Sequence, residues 1–292
     1  MVARSGQELL EICNQRGISL SEYAIQMEME NSESTREEVI NKMKATLKVM
    51  IDSATEGIEK EVYSVTGLIG GDGYRVNQYL KKGETLTGTT TVMAMAMALS
   101  SSEVNASMGR IVACPTAGSC GILPAVILSA GSKLDKTEDE LVMGLFAAAA
   151  VGTIIAMNAT VSGAEGGCQA ECGSAAAMGS AAVVEMMGGT PKMSLDAAAI
   201  VLKNILGLVC DPVAGLVEIP CAKRNAAGAV SALCTADLVM AGVESKIPFD
   251  DTVSAMYKVG KQLPAELRET AMGGVAITKT GLELKKKVFG DE

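Results

Sequence analysis

LVMGLFAAAAVGTIIAMNATV, residues 141–161, runs for 21 positions without a charged side chain. That length meets the criterion for a membrane-spanning helix. The segment is nevertheless rich in Ala, Gly and Thr, carries Asn158 near its end, and follows the acidic stretch KTEDE instead of a basic one. We therefore expect a buried core helix whose small residues admit close neighbours, with a membrane span as the alternative.

The rest of the chain supplies helices that can surround this segment. Ala-rich residues 174–184 and 197–201 are expected to pack against it. The first sixty residues contain three Ser-x-x-Glu helix starts, at residues 5–8, 19–22 and 34–37. Apolar residues recur at helical spacing after the third start. This pattern predicts three amphipathic helices.

The composition shifts to Gly, Ala, Met and small polar residues from about Gly67 onwards. Strand signals are weak, since period-two alternation is hard to find and the chain has only 5 Tyr and 3 Phe. We expect an all-α fold, with residues 1–292 forming a single helical domain. Its amphipathic part would span residues 1–60, and its Gly/Ala/Met-rich core would span residues 67–292.

Composition also limits the function. The net charge is -9, which argues against nucleic acid as a ligand. The N-terminus reaches Glu8 and Glu11 before any apolar run, so we expect a cytoplasmic protein whose eight cysteines stay reduced. Because the chain has no histidine, a metal must rest on sulfur or carboxylate, and a general base must be another residue type or come from another chain.

Cysteines concentrate beside turn residues in ACPTAGSCGILPA (113–125), GAEGGCQAECGSA (163–175) and CDPVAGLVEIPCAKRNA (210–226). No CxxC pair occurs, which argues against a zinc ribbon or a ferredoxin. Cys210 and Cys221 are candidate ligands because adjacent prolines fix the backbone near each of them. Burial as small apolar side chains is the alternative, and spacing alone does not show that the thiols meet.

Together the three blocks resemble those of the iron-sulfur L-serine dehydratases, specifically the α chain of the two-chain form. The resemblance covers most of the chain and is densest from about residue 105 to 230. It implies a helical catalytic domain in which the loop-borne Cys168, Cys210 and Cys221 hold a [4Fe-4S] cluster. Cys172 lies one helical turn after Cys168. The family motif asks for no thiol there, so we interpret Cys172 as a packing residue, with a fourth ligand as the alternative.

The resemblance also implies the reaction. Three thiolates leave one iron open as a Lewis acid for the β-hydroxyl of L-serine, which is converted to pyruvate and ammonia without pyridoxal phosphate. We expect an oxygen-sensitive enzyme. Candidate substrate-binding residues are Thr116, Gly118 and Ser119 in a turn that opens a helix, Arg224 and Asn225 after Cys221, and, on weaker grounds, Asp72. An ordinary helix cap and a structural ion pair are the alternatives for these residues.

The two-chain form implies a serine dehydratase β chain as the partner, in a heterodimer or higher oligomer. Since this chain has no imidazole, we expect the partner to supply the general base. A cluster-binding regulatory or assembly subunit without lyase activity is the competing function. Nothing in the sequence separates serine from threonine as the substrate.

Overall fold

Helices build the part of the chain that the computed structural model describes, residues 2–290. They are α1 (Gly6–Arg16), α2 (Leu20–Ser32), α3 (Arg36–Glu59), α4 (Asp72–Leu80), α5 (Thr89–Ala106), α6 (Ile122–Lys133), α7 (Glu138–Asn158), α8 (Gly163–Gly166), α9 (Ser174–Met186), α10 (Pro191–Ile205), α11 (Cys221–Met240), α12 (Phe249–Gln262) and α13 (Lys279–Phe289). Within residues 2–290 there is no β-strand, only two isolated bridges. The all-α prediction is confirmed.

Side-chain caps begin the first three helices. The Ser5 and Ser19 hydroxyls accept hydrogen bonds from the backbone N–H groups three residues on, as predicted. The third start is one residue later than predicted, because Thr35 and Glu38 form the reciprocal capping box instead of Ser34 and Glu37. With this register Val39 is buried in the hydrophobic core.

Helix α7, which contains the uncharged segment, lies in the core. It packs against α2, α3 and α9. Gly144 and Gly152 face the Met186 and Met178 side chains of α9, so the missing Cβ atoms admit these methionines. The Ala-rich stretch of α9 therefore packs on α7 as predicted. The second Ala-rich stretch packs mainly on α9 instead, as part of α10.

The length and composition of α7 alone would allow it to cross a membrane, but 56% of its most apolar window is buried inside the protein. Neighbouring helices supply that burial, and Asn158 near its C-terminus donates a hydrogen bond to the Arg4 carbonyl. The N-terminal helices share the same core, to which they contribute Leu9, Leu20 and Leu47. In this fold α7 is a core helix.

Candidate metal and substrate site

Two of the predicted cysteines meet with a glutamate. The Sγ atoms of Cys168 and Cys210 and a carboxylate oxygen of Glu171 all lie within 4.8 Å of one another, and all three residues are buried. Cys168 immediately precedes a π-helical turn, Gln169–Gly173, which leads into α9. The Cys172 Sγ atom lies 3.9 Å from that of Cys168, and the Cys210 Sγ atom lies 4.0 Å from Oε2 of Glu171.

A short non-local bridge fixes Cys210. Its N–H donates to the Leu267 carbonyl at 2.9 Å, and its carbonyl accepts from the Glu269 N–H at 2.7 Å. The next residue, Asp211, accepts the Val275 N–H on Oδ2 at 2.7 Å. The segment near residue 210 is therefore held by residues 267–275, which the sequence blocks did not identify.

Cys221 is the first residue of α11 and is buried. It follows the cis peptide bond Ile219–Pro220. Burial and the negative charge of Cys168 raise the pKa of the Cys221 thiol to about 12. The Cys221 sulfur is therefore close enough to Cys168 for an electrostatic interaction. Its sulfur is not within the 4.8 Å group formed by Cys168, Glu171 and Cys210. Its role as third ligand stays a prediction.

The negative charge of the site is concentrated on Cys168. Hydrogen bonds from the Cys172 and Cys210 thiols lower the pKa of Cys168, and the Arg224 guanidinium lowers it further. The same interactions, together with burial, raise the pKa of Cys172 and of Cys210. These interactions favour negative charge on Cys168 over its two neighbours.

Glu171 is the site residue that the sequence analysis missed. Its Oε1 accepts a hydrogen bond from the Thr116 hydroxyl at 2.8 Å. Burial, and to a lesser degree the charge of Cys168, raise the pKa of Glu171 to about 7. One signal was present in the sequence, since Glu171 is the one charged side chain between Gly166 and Gly179 and follows Cys168 by three residues, at helical spacing.

The turn before α6 lies against this carboxylate. Thr116 and Ser119 place their hydroxyl oxygens 3.1 Å apart, and a Cβ atom on Gly118 would lie 3.0 Å from Oε1 of Glu171. Asn225 holds the turn in place, because its Oδ1 accepts the Gly121 N–H and its Nδ2 donates to the carbonyls of Gly118 and Cys221. The structure thus brings together five of the six predicted substrate-binding residues, counting Arg224 beside Cys168.

Arg224 and Asp72 are both engaged in ion pairs. The Arg224 Nη2 atom lies 2.8 Å from Oδ1 of Asp211, in a geometry that makes the contact electrostatic more than a hydrogen bond, and Nη1 donates to the Val209 carbonyl. Asp72 pairs with Arg75 and Lys223. Its recorded side-chain contacts within residues 2–290 do not include the Cys168 group, so the structure does not bring Asp72 to that group.

The donor set suits a sulfur-ligated metal group. Thiolates favour zinc, copper(I) and iron-sulfur clusters, while the absence of histidine from the sequence removes the usual nitrogen donor. Two buried sulfurs with a carboxylate between them, and a third buried thiol at the start of α11, fit a group held mainly by cysteine. The site can therefore hold such a metal group beside a turn lined with hydroxyls.

Comparison with known proteins gives consistent matches. The family model described as "Serine dehydratase alpha chain" matches residues 15–276. The "Probable L-serine dehydratase, alpha chain" of Bacillus subtilis (strain 168) is 49% identical over 287 residues, covering 98% of this chain and 95% of the relative. The "L-serine dehydratase, alpha chain" of Peptoniphilus asaccharolyticus is 46% identical over 282 residues, covering 97% of each. The "L-serine dehydratase 1" of Escherichia coli (strain K12) is 35% identical, covering 94% of this chain and 61% of the relative.

Proposed function

This chain belongs to the serine dehydratase α-chain family, and from that membership we propose that it converts L-serine to pyruvate and ammonia as one subunit of a two-chain cytoplasmic lyase. The observation that carries the proposal is the meeting of Cys168 and Cys210, which are far apart in sequence, in one buried group. That group lies beside the turn that contains Thr116 and Gly118. A metal group that stabilises the leaving hydroxyl and a turn that binds the substrate carboxylate are two of the elements that dehydration of a hydroxy amino acid uses when it proceeds without pyridoxal phosphate.

Cys168, Cys210 and Cys221 are proposed to hold a [4Fe-4S] cluster. When bound by three thiolates, such a cluster supplies an open Lewis-acid position for the β-hydroxyl of serine, so that pyridoxal phosphate is not required. The lowered pKa of Cys168 supports its assignment as a ligand, because a metal binds the thiolate form of cysteine. Arg224 places a positive charge beside it.

The chain's other residues are proposed to bind and orient the amino acid. The turn at residues 116–119 is proposed to bind the substrate carboxylate through backbone N–H groups, since the Thr116 hydroxyl already donates to Glu171 and Ser119 is fully buried. Asn225 keeps that turn at a fixed distance from Cys221, since one amide bonds to both segments. Burial of Cys168, Glu171 and Cys210 limits the access of water to the reacting groups. The base that removes the α-proton is proposed to come from the β chain.

The test is anaerobic reconstitution of the α chain with iron, sulfide and its β chain, followed by assay of pyruvate from L-serine. We expect wild-type protein to bind iron and to form pyruvate. Cys168→Ser, Cys210→Ser and Cys221→Ser should each lose visible absorbance and activity, because each removes one thiolate. Cys234→Ser is the matched control, since Cys234 is exposed.

The outcome also separates the competing functions. Wild-type activity in Cys210→Ser would contradict the ligand assignment. Iron binding without any pyruvate, in the presence of the β chain, would instead indicate a regulatory or assembly subunit. L-Threonine assayed in parallel shows whether the substrate site accepts an additional methyl group.

A further inference from the structure

Glu171 is a buried carboxylate for which the chain provides no cation. Its residue surface is 8% exposed, and within residues 2–290 it takes part in no ion pair. Its contacts are the Thr116 hydroxyl at 2.8 Å and, at the longer distance of 4.0 Å, the Cys210 thiol. Buried acidic side chains are rare in proteins unless they are paired. The surroundings of Glu171 therefore lack the usual partner of a buried acid.

The basic side chains of the adjacent helix α11 are already engaged. Arg224 lies against Asp211 and the Val209 carbonyl, and its remaining interaction is with Cys168. Lys223 pairs with Asp72. Within residues 2–290 no basic side chain, including Arg268 of the segment that bridges to Cys210, forms an ion pair with Glu171, so a cationic group of a bound ligand would be its first charged partner.

Close backbone contacts fix the position of the carboxylate. A Cβ atom on Gly163 would lie 2.5 Å from Oε2 of Glu171, and a Cβ atom on Gly118 would lie 3.0 Å from Oε1. Glu171 is therefore packed between two glycine backbones, and its oxygens contact both the turn at residues 116–119 and Cys210. It lies between the segment proposed to bind the substrate carboxylate and the proposed metal ligands.

We propose that Glu171 binds the α-ammonium group of the amino-acid substrate and so makes the site selective for amino acids over hydroxy acids. The inference rests on the proposed function for the identity of the substrate. An α-amino acid carries a carboxylate and an ammonium group on neighbouring atoms, so its site needs donors and an acceptor side by side. The Thr116 hydroxyl, which donates to Glu171, joins these two parts of the site.

The experiment compares two ligands on the anaerobically reconstituted complex with the β chain. L-Serine carries the ammonium group, and 3-hydroxypropanoate keeps the carboxylate and the β-hydroxyl without it. Glu171→Gln keeps the volume and an oxygen acceptor for Thr116 and removes the charge. We expect the KM for L-serine to rise at least tenfold, while the inhibition constant of 3-hydroxypropanoate changes less than about twofold, since only the first ligand has an ammonium group.

Glu185→Gln is the control, because Glu185 is a partly buried carboxylate whose pKa is also raised by burial, and it lies roughly 20 Å further along the same helical segment. Both constants should stay at wild-type values in this variant. Equal changes for the two ligands in Glu171→Gln would overturn the inference, and so would no change in either. Loss of iron from Glu171→Gln with an unaltered ratio of the two constants would assign Glu171 as a metal ligand instead.

One further measurement does not depend on the variant or on turnover. In the wild-type complex, L-alanine, which has no β-hydroxyl to lose and is therefore not dehydrated, should bind at least tenfold more tightly than propanoate by calorimetry, and equal affinities would overturn the inference even if Glu171→Gln fails to fold. Absence of pyruvate from the wild-type complex refutes the proposed function. The calorimetric comparison still reports on ammonium recognition in that case.

Discussion

Cys168 differs from its neighbours in charge although all of them are buried cysteines. Hydrogen bonds from Cys172 and Cys210 converge on its sulfur, and Arg224 adds a positive charge, so the pKa of Cys168 is lowered while those of its two donors are raised. A metal that takes Cys210 as a ligand must therefore displace a proton from that thiol. Cys168, whose pKa is lowered, should give up its proton to a metal more readily than Cys210.

At the scale of single residues, the sequence predicted part of the candidate site and missed another part. The resemblance identified Cys168 and Cys210, and the structure brings them together. It did not identify Glu171, because a glutamate in a Gly/Ala-rich block has no spacing rule that distinguishes a buried acid from an exposed one. Asp72 was selected from its GGDG turn, but its partners are two basic side chains, and pairings of this kind depend on tertiary contacts that the sequence does not display.

Glu103 predicts a pH effect on stability. It is fully buried and accepts the Asp72 N–H at 2.6 Å, and burial raises the pKa of Glu103 from 4.5 to about 7. Because the folded pKa is above the unfolded one, the folded state holds this proton more tightly, and stability is lost as the pH rises from about 4.5 to 7. The difference corresponds to on the order of 3 kcal/mol.

Chemical unfolding of wild type and of Glu103→Gln at pH values between 5 and 8 measures this effect. The variant has no proton to lose at this position and should show a flatter dependence of the free energy of unfolding on pH. Asp72 and Lys223 are the nearby charges that modulate the Glu103 pKa, and both remain in the variant. Identical pH dependence in the two proteins would show that Glu103 is not the group responsible.

At the scale of secondary-structure elements, local sequence signals predict where helices begin, whereas contacts between distant segments determine where the site lies. Caps such as Ser5 and the Thr137 capping box lie within a few residues of the helices they begin, so they can be read from sequence. The bridge between Cys210 and Arg268 joins segments nearly sixty residues apart, and the π-helical turn after Cys168 has no sequence rule. These two features set the positions of the proposed ligands.

The crossing of α3, α4 and α5 predicts a packing defect. A Cβ atom on Gly73 of α4 would lie 3.0 to 3.1 Å from backbone atoms of Ser100, Ala96 and Gly57, which cannot move independently. Gly73→Ala should destabilise the protein by about 1–3 kcal/mol through overpacking. Urea denaturation measures the change in the free energy of unfolding.

Gly152→Ala in α7 is the matched control for this packing. The three atoms nearest to its new Cβ atom would all be side-chain atoms of Met178, a flexible residue that can move aside. The higher helix propensity of alanine, worth up to about 1 kcal/mol, should then leave this variant neutral or more stable. Equal destabilisation in the two variants would contradict the assignment of the crossing as rigid.

For the whole molecule, the fold separates a helical core from a site made of connecting segments. The core consists of helices such as α7 and α9, which are rich in Ala, Gly and Met and pack closely. The candidate site uses residues from 116–119, 168–172, 210–221 and 267–275, which are distant in sequence. The packed helices of the core can thus hold these four short segments at fixed positions relative to one another.

The absence of histidine predicts that the complete reaction needs a second chain. The isolated α chain, reconstituted anaerobically, should bind iron, because its cysteines are its own. It should form pyruvate at least about 100-fold more slowly than the complex, since a positioned general base contributes roughly 10²–10⁴ to the rate of proton abstraction. Adding the β chain should raise the rate of pyruvate formation in proportion to the amount of complex that forms. The β chain alone, without the cysteines of the α chain, should remain inactive. Full turnover by the α chain alone would show that it carries its own base.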